Sequence, residues 1–269
     1  MWYKFCVLHE QFTGGSGLVH RTDQREWTMN RHKRLLSQAG FLMLALFSVA
    51  AWAAGAGTVT HLSGTLSVQR PDGSVRILSQ KSEVNPGDTL TTQRDSYAQI
   101  NFTDGSSLTM RPNTQIKVEQ YNFVQDRPQD DGSFLRLVKG GLRTVTGLVG
   151  KRGNQDAYKI GTNTATIGIR GSSGDTIDNS AGSCEGVTPG CEKLPAGVYH
   201  TTYTGSYIMQ NDGGTQIIGE GQFGFARDPR TPPVILPGDP GLNVSQLPFA
   251  LGIGSGRVQG GSGQECVVR

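Results

Sequence analysis

Two arginines and a pair of cysteines are the residues of this 269-residue chain best placed to do chemistry. Arg143 ends the run Lys139-Gly-Gly-Leu-Arg143, and Arg170 stands directly before Gly171. Glycine lets backbones approach closely, and the planar guanidinium fork grips a carboxylate through two parallel hydrogen bonds. Either arginine could therefore bind an anion or a partner's carboxylate. The plainer alternative is that each ties a strand end to Asp88, Asp104 or a loop carbonyl. Cys184 and Cys191 bracket CEGVTPGC, which carries Pro189 and Gly190. In an oxidising compartment such a pair closes a local disulfide. Metal ligation is the alternative, although a structural zinc site usually has four ligands at CxxC-type spacing. Cys266 is then left over, free or paired between chains.

No other grouping points to catalysis. His61 and His200 have no carboxylate or cysteine at ligand spacing and read as ordinary strand residues. Gly171-Ser-Ser-Gly174 lacks the strand–turn–helix setting of a nucleophile elbow. The chain has no phosphate loop, dinucleotide fingerprint or HExxH. Asp104 reads as a turn former. Tyr199, Tyr203 and Tyr207 recur every four residues in a β stretch and are expected to pack on one sheet face, with an aromatic ligand platform as the alternative. We expect no catalytic, cofactor-binding or metal-ligating residues, no enzymatic activity and no cofactor. Arg143 and Arg170 remain as possible binding residues, and Cys184 with Cys191 as a disulfide.

The elements that must position these residues are strands. Tyr97 to Val118 alternates apolar and polar residues through Ala98, Ile100 and Phe102, turns at Asp104-Gly105, and resumes at Leu108 and Met110. Alternation of period two puts one set of side chains on one sheet face. Asp-Gly supplies the backbone angles of a tight hairpin. Similar short runs recur: Val59–Val68, Val75–Leu78, Leu90–Thr92, Phe134–Val138, Leu142–Val149, Tyr158–Ile160, Thr164–Ile169, Val198–Gln210 and Gln216–Ile218, with turn signals between them. Within Val198–Gln210, Thr204-Gly205 reads as an internal turn, and residues 171–197 read as an excursion from the sheet. Short strands at this spacing indicate an all-β sandwich or jelly roll of antiparallel strands. A short β-solenoid is the rival, disfavoured because no fixed-period repeat is found. From residue 228, DPRTPPVILPGDPG cannot continue a central strand, since proline lacks the N–H donor. A disordered Pro/Gly-rich tail, 228–269, is expected.

The N-terminal 54 residues read as a leader. Basic Arg31-His-Lys-Arg34 precedes the apolar run Phe41–Ala53, and Ala51-Trp52-Ala53 satisfies the small-residue cleavage rule of a secretory signal peptide. Met29, just before the basic cluster, is the expected start of translation. The apolar run is shorter than the roughly 20 residues of a membrane span, so we expect no stable span after cleavage. The leader carries six Lys/Arg and three Asp/Glu, which leaves nineteen of each in the remainder. The mature chain is thus neutral, which removes the reason to expect a nucleic-acid partner.

Four segments in order resemble one family. Gly87-Asp-Thr-Leu-Thr-Thr92 is similar to the GD-x-L-x-T element of FecR-type periplasmic domains. Ala98–Thr114, AQINFTDGSSLTMRPNT, resembles that family's DGS hairpin. Lys139-Gly-Gly-Leu-Arg143 and Thr162–Gly171, TNTATIGIRG, resemble its KG-x-x-R and T-x-x-A-x-x-G-x-RG elements. The resemblance covers roughly residues 57–176. It implies a β-rich periplasmic domain, best known from transmembrane regulators that relay receptor occupancy to a cytoplasmic sigma factor. Two departures argue against carrying that role over. No room is left for a cytoplasmic helical domain before the apolar run, and Ser172-Ser173-Gly174 replaces the family's Thr-x-Phe. The expectation is a stand-alone exported protein: a leader (1–54), a FecR-like β domain (55–176), a β extension with the Cys loop (177–227) and the tail. It would act in the periplasm, or be secreted, from a Gram-negative-type bacterium. Its role would be a non-catalytic binding or sensory module, or alternatively a structural or surface-assembly component. Its partner would be another envelope protein or a cell-envelope glycan.

Overall fold

A computed structural model of the chain describes residues 55–180, 184–242 and 247. The leader with its cleavage site, Cys6 and Cys266 lie outside these residues. The strands in chain order are β1 (Gly57–Ser63), β2 (Leu66–Gln69), β3 (Val75–Leu78), β4 (Glu83–Val84), β5 (Thr89–Thr92), β6 (Tyr97–Phe102), β7 (Ser107–Met110), β8 (Gln115–Asn122), β9 (Gly132–Val145), β10 (Tyr158–Gly161), β11 (Thr166–Asp178), β12 (Val198–Asn211), β13 (Gly214–Gly219), β14 (Phe223–Ala226) and β15 (Val234–Leu236). The fold is all-β, as the alternation predicts. Every pairing of these strands is antiparallel except β9 with β10, so this is not the parallel stacking of a solenoid.

Three long strands organise the molecule. The first parts of β9 and β11 and the last part of β12 join a layer running β3–β2–β5–β8–β9–β10–β11–β12–β13. Their other ends join a second layer running β4–β1–β6–β7–β9–β11–β12–β14–β15. Each long strand bends where it passes between layers, and each bend carries a glycine of positive φ: Gly140 (+93°), Gly171 (+64°) and Gly205 (+74°). Side chains disfavour that backbone region, whereas glycine enters it at no steric cost. The bends in β9 and β11 are also β-bulges. An extra residue shifts the set of side chains that faces the core. Hence Leu135 and Leu137 point inward before the β9 bend and Leu142 and Thr144 after it.

One apolar core lies between the layers. Leu66, Val68, Leu90, Ile116 and Leu135 of the first layer pack in one cluster with Val59, Ile100, Met110 and Leu142 of the second. Each fully buried side chain of this size contributes roughly 1.5–3 kcal/mol. The same cluster takes in Tyr207, Met209 and Ile218, so residues beyond 176 share this core, and β11 runs unbroken through positions 176 and 177.

Several expectations are corrected by this arrangement. Phe134–Val138 and Leu142–Val145 are parts of one bent strand, β9, and residues 146–149 lie in the loop after it. Residues 171–178 continue β11, and the excursion begins only at Asn179. Thr204-Gly205 is a bend inside β12, not a turn. Glycine at these places reads as a strand end in sequence, but the distant partner strands keep the ladder going on both sides. The segment from 228 is ordered through 242. β15 pairs with β14, and Leu242 is buried. Being an edge strand, β15 satisfies the restriction that proline places on this region.

The hairpin of β6 and β7 has the predicted register, with Ala98 opposite Met110 and Ile100 opposite Leu108. Asp104 does more than form its turn. Its carboxylate accepts hydrogen bonds from the Ser106 backbone N–H (3.0 Å), the Ser106 hydroxyl (2.6 Å) and the Tyr121 hydroxyl (3.2 Å), and from the Val149 N–H (3.1 Å) in the distant loop after β9.

Candidate interaction site

In the second layer, the switch in side-chain parity turns Arg143 away from the core onto the outer face. Pairing then places it beside Thr109 of β7 and Asp175 of β11. Arg143 grips Asp175 with two parallel bonds, Nε to Oδ1 at 3.0 Å and Nη2 to Oδ2 at 2.7 Å. Arg111 donates to the same Oδ2 at 3.2 Å. The Tyr203 hydroxyl donates to it as well, and the Arg143 guanidinium lies 4.6 Å from the Tyr203 ring centre. Arg111 and Asp175 are each 1% exposed at the side chain and Arg143 is 12%. Burial disfavours the Arg143 charge, yet the hydrogen bond and charge of Asp175 outweigh it and raise the guanidinium pKa above its ordinary value. Burial, with the Asp175 charge, raises the Tyr203 hydroxyl well above the usual phenol range, so it remains a donor. The cluster ties four strand segments together through one carboxylate. Its chemistry is charge pairing.

Arg143 therefore does bind a carboxylate, but an internal one, and neither Asp88 nor Asp104 is its partner. Asp88 is held by Arg70 at 2.6 Å. Arg170 pairs with Asp156 at 3.1 Å in a bridge exposed on both sides (40% and 54%). The two arginines are not brought together. Asp175 and Arg111, the buried members of the cluster, carry no local signal: Asp175 sits in a Ser/Gly-rich run that reads as loop, and Arg111 follows the hairpin before a proline. Only the two-strand register reveals them.

Cys184 and Cys191 form the expected disulfide. The loop they close lies over the outer face of the second layer. Val187, both cysteines and Leu242 pack there on Ile177, Tyr199 and Phe225. Gly141 makes room for this, since a side chain on it would strike Ile177, Val187 and Arg111. Asn113 donates to the Glu185 carbonyl at 3.1 Å, and Tyr199 to the Pro195 carbonyl at 2.7 Å. The three tyrosines do not share a face. Tyr199 and Tyr203 belong to this outer cluster, while Tyr207, beyond the Gly205 bend, is buried in the main core against His200, with ring centres 4.0 Å apart. His200 is a residue of strand β12, as expected. It is buried, its Nδ1 is 3.1 Å from the Thr176 hydroxyl, and its burial lowers its pKa to about 3. Among the described residues, no three His, Cys, Asp or Glu side chains are grouped to hold a metal ion.

A cleft of about 340 Å³ opens beside the disulfide loop. Asp95, Tyr97 and Pro112 form one wall, and Gly186, Val187, Thr188, Pro189 and Glu192 the other.

Residues 88–188 match the family described as FecR protein. The chain carries a FecR domain. The match runs from Asp88, in the GD-x-L-x-T element, into the disulfide loop and takes in Arg111, Arg143, Asp175 and Cys184, while Cys191 and Tyr203 follow it. FecR domains are regulatory and periplasmic in their family. Two crystal structures, at 1.65 and 2.50 Å, of a candidate anti-sigma factor from Parabacteroides distasonis are similar to this chain at 10% and 9% identity, both with a TM-score of 0.40. Each similarity covers 56% of this chain and 60% of that one, so the chain spans about 60% of the length of these neighbours. A cell surface anchoring domain is similar at 25% identity over 24% of this chain and 86% of its own, with a TM-score of 0.24. No curated protein matches the chain.

Proposed function

We propose that this chain is an exported, non-catalytic FecR-domain protein that works in the periplasm as a sensory or regulatory module by binding another envelope protein. The observation that carries this reading is the FecR domain at residues 88–188. Two further features support it. The leader has the n-region, h-region and cleavage site of a secretory signal. The best-placed charged side chains, Arg111, Arg143 and Asp175, are engaged with one another inside the fold, which leaves loops and edges as the surfaces for a partner. The roles of Arg143 and Arg170 are accordingly a structural tie and a surface bridge.

Fractionation of cells expressing the full chain tests the location. A periplasmic product whose N-terminus follows Ala53 is expected; an uncleaved cytoplasmic product would sink the proposal. Affinity capture from periplasmic extract, compared with the same bait unfolded by reduction in denaturant, tests the binding role. A folded bait that retains nothing the unfolded bait lacks would count against it.

A second reading, an envelope assembly component, rests on β3. This edge strand exposes Val75 (67%) and Ile77 (70%) beside an unpaired ladder, the kind of edge on which another strand can add. Light scattering of the purified chain distinguishes it: concentration-dependent growth abolished by Ile77→Lys favours assembly, and a monomer at all concentrations removes it.

A further inference from the structure

The cleft beside the disulfide loop combines apolar side chains with two carboxylates. Its lining is Tyr97, Pro112, Gly186, Val187, Thr188 and Pro189 with two charged residues, Asp95 and Glu192, both carboxylates; neither Arg94 nor Lys193 lines it. Its volume of about 340 Å³ is at the lower end of the ~300–1,000 Å³ range of ligand sites, enough for a side chain but not for a large ligand. The walls are fixed from behind. The disulfide closes the loop, the Val187 N–H donates to the Cys184 carbonyl at 3.0 Å, and the Asn113 N–H donates to Gln93 O at 3.2 Å. Asn113 also holds Glu185, as described above. Val187 is buried, so the cleft floor belongs to the packed structure.

We propose that this cleft receives a lysine or arginine side chain from an extended segment of the partner protein, an inference that rests on the protein-binding role proposed above. The long aliphatic stem of a basic residue packs on an aromatic ring and prolines while its head stays at the polar rim. The ring face of Tyr97 attracts the cation, and Asp95 and Glu192 complement its charge. A neutral glycan is a poorer fit, because its hydroxyls can donate to the two carboxylates but leave their negative charge uncompensated. The fixed walls keep the ordering cost of binding low.

The test uses isotope-labelled full chain and small defined probes: N-acetyl-lysine methylamide, N-acetyl-arginine methylamide, uncharged N-acetyl-norleucine methylamide and N-acetylglucosamine. Saturable amide shifts confined to Tyr97, Gly186, Val187 and their neighbours are expected with the two cationic probes. Norleucine should bind about tenfold more weakly, and the cationic probes should lose affinity as salt is raised. The double variant Asp95→Asn, Glu192→Gln should lose most of the cation response with the rest of the spectrum unchanged. Asparagine suits the positive φ of Asp95 (+55°), because its side chain tolerates that region. Absence of shifts, shifts of equal size with norleucine, a response to N-acetylglucosamine alone, or a double variant that binds as well as the parent would each overturn the proposal. Because these probes report on the cleft directly, failure here with successful capture from extract would reject the cleft and keep the binding role. Failure of capture with a positive cleft titration would do the reverse.

Discussion

The two layers use the same kind of ion pair in opposite ways. On the outer face of the first layer, Arg136 meets Glu119 at 2.8 Å with side chains 39% and 27% exposed. On the outer face of the second, Arg111 and Arg143 share Asp175 beneath the disulfide loop, almost wholly out of water. A surface pair is worth little, because water solvates either partner as well as the other does. A buried pair adds little net stability over an apolar replacement, yet breaking it strands a charge in a low dielectric. Position in the fold, not residue type, sets the consequence.

The largest expected effect comes from breaking the buried side of this comparison. Asp175→Ala leaves two buried arginines without their shared carboxylate and should cost about 3–5 kcal/mol, while Glu119→Ala should cost under about 1 kcal/mol. Urea unfolding of the two variants side by side checks it; equal losses would erase the distinction. Next comes the cover. Replacing Cys184 and Cys191 by alanine removes the closure between cysteines seven positions apart and should cost about 2 kcal/mol. Coupling of this change to Asp175→Ala in a double-mutant cycle would sharpen the comparison, since additive losses would mean that the loop does not shield the ion cluster.

The third effect concerns the inner side of the second layer. His200 has its pKa lowered to about 3 by burial, whereas the unfolded chain takes up that proton near pH 6.5, roughly the model-peptide value. The unfolded state thus binds more protons in between. Stability is intact above the unfolded pKa and falls as pH drops from there toward the folded one, by at most about 1.4 kcal/mol per pH unit. His200→Asn should flatten that fall, read as the difference in urea midpoint between neutral and mildly acidic buffer. An unchanged slope would assign it to other groups. The smallest effect is expected at the exposed bridge: Arg170→Ala should change stability by under about 0.5 kcal/mol, and a loss near that of Asp175→Ala would show that exposure is a poor guide here.

The sequence by itself determined the all-β class, the hairpin at Tyr97–Val118, the Cys184–Cys191 pair and the family elements. These depend on local features: period-two alternation, turn residues and short spacings. It did not reveal that Arg143 meets Asp175, that Tyr207 turns inward while Tyr203 turns outward, or that Asp104 reaches the loop at Val149. Those outcomes depend on bends at Gly140, Gly171 and Gly205, where the core-facing parity switches. A local pattern shows a break at such a glycine. Only the pairing with distant strands decides whether the strand ends there or crosses into a second layer, and therefore which side chains are buried together.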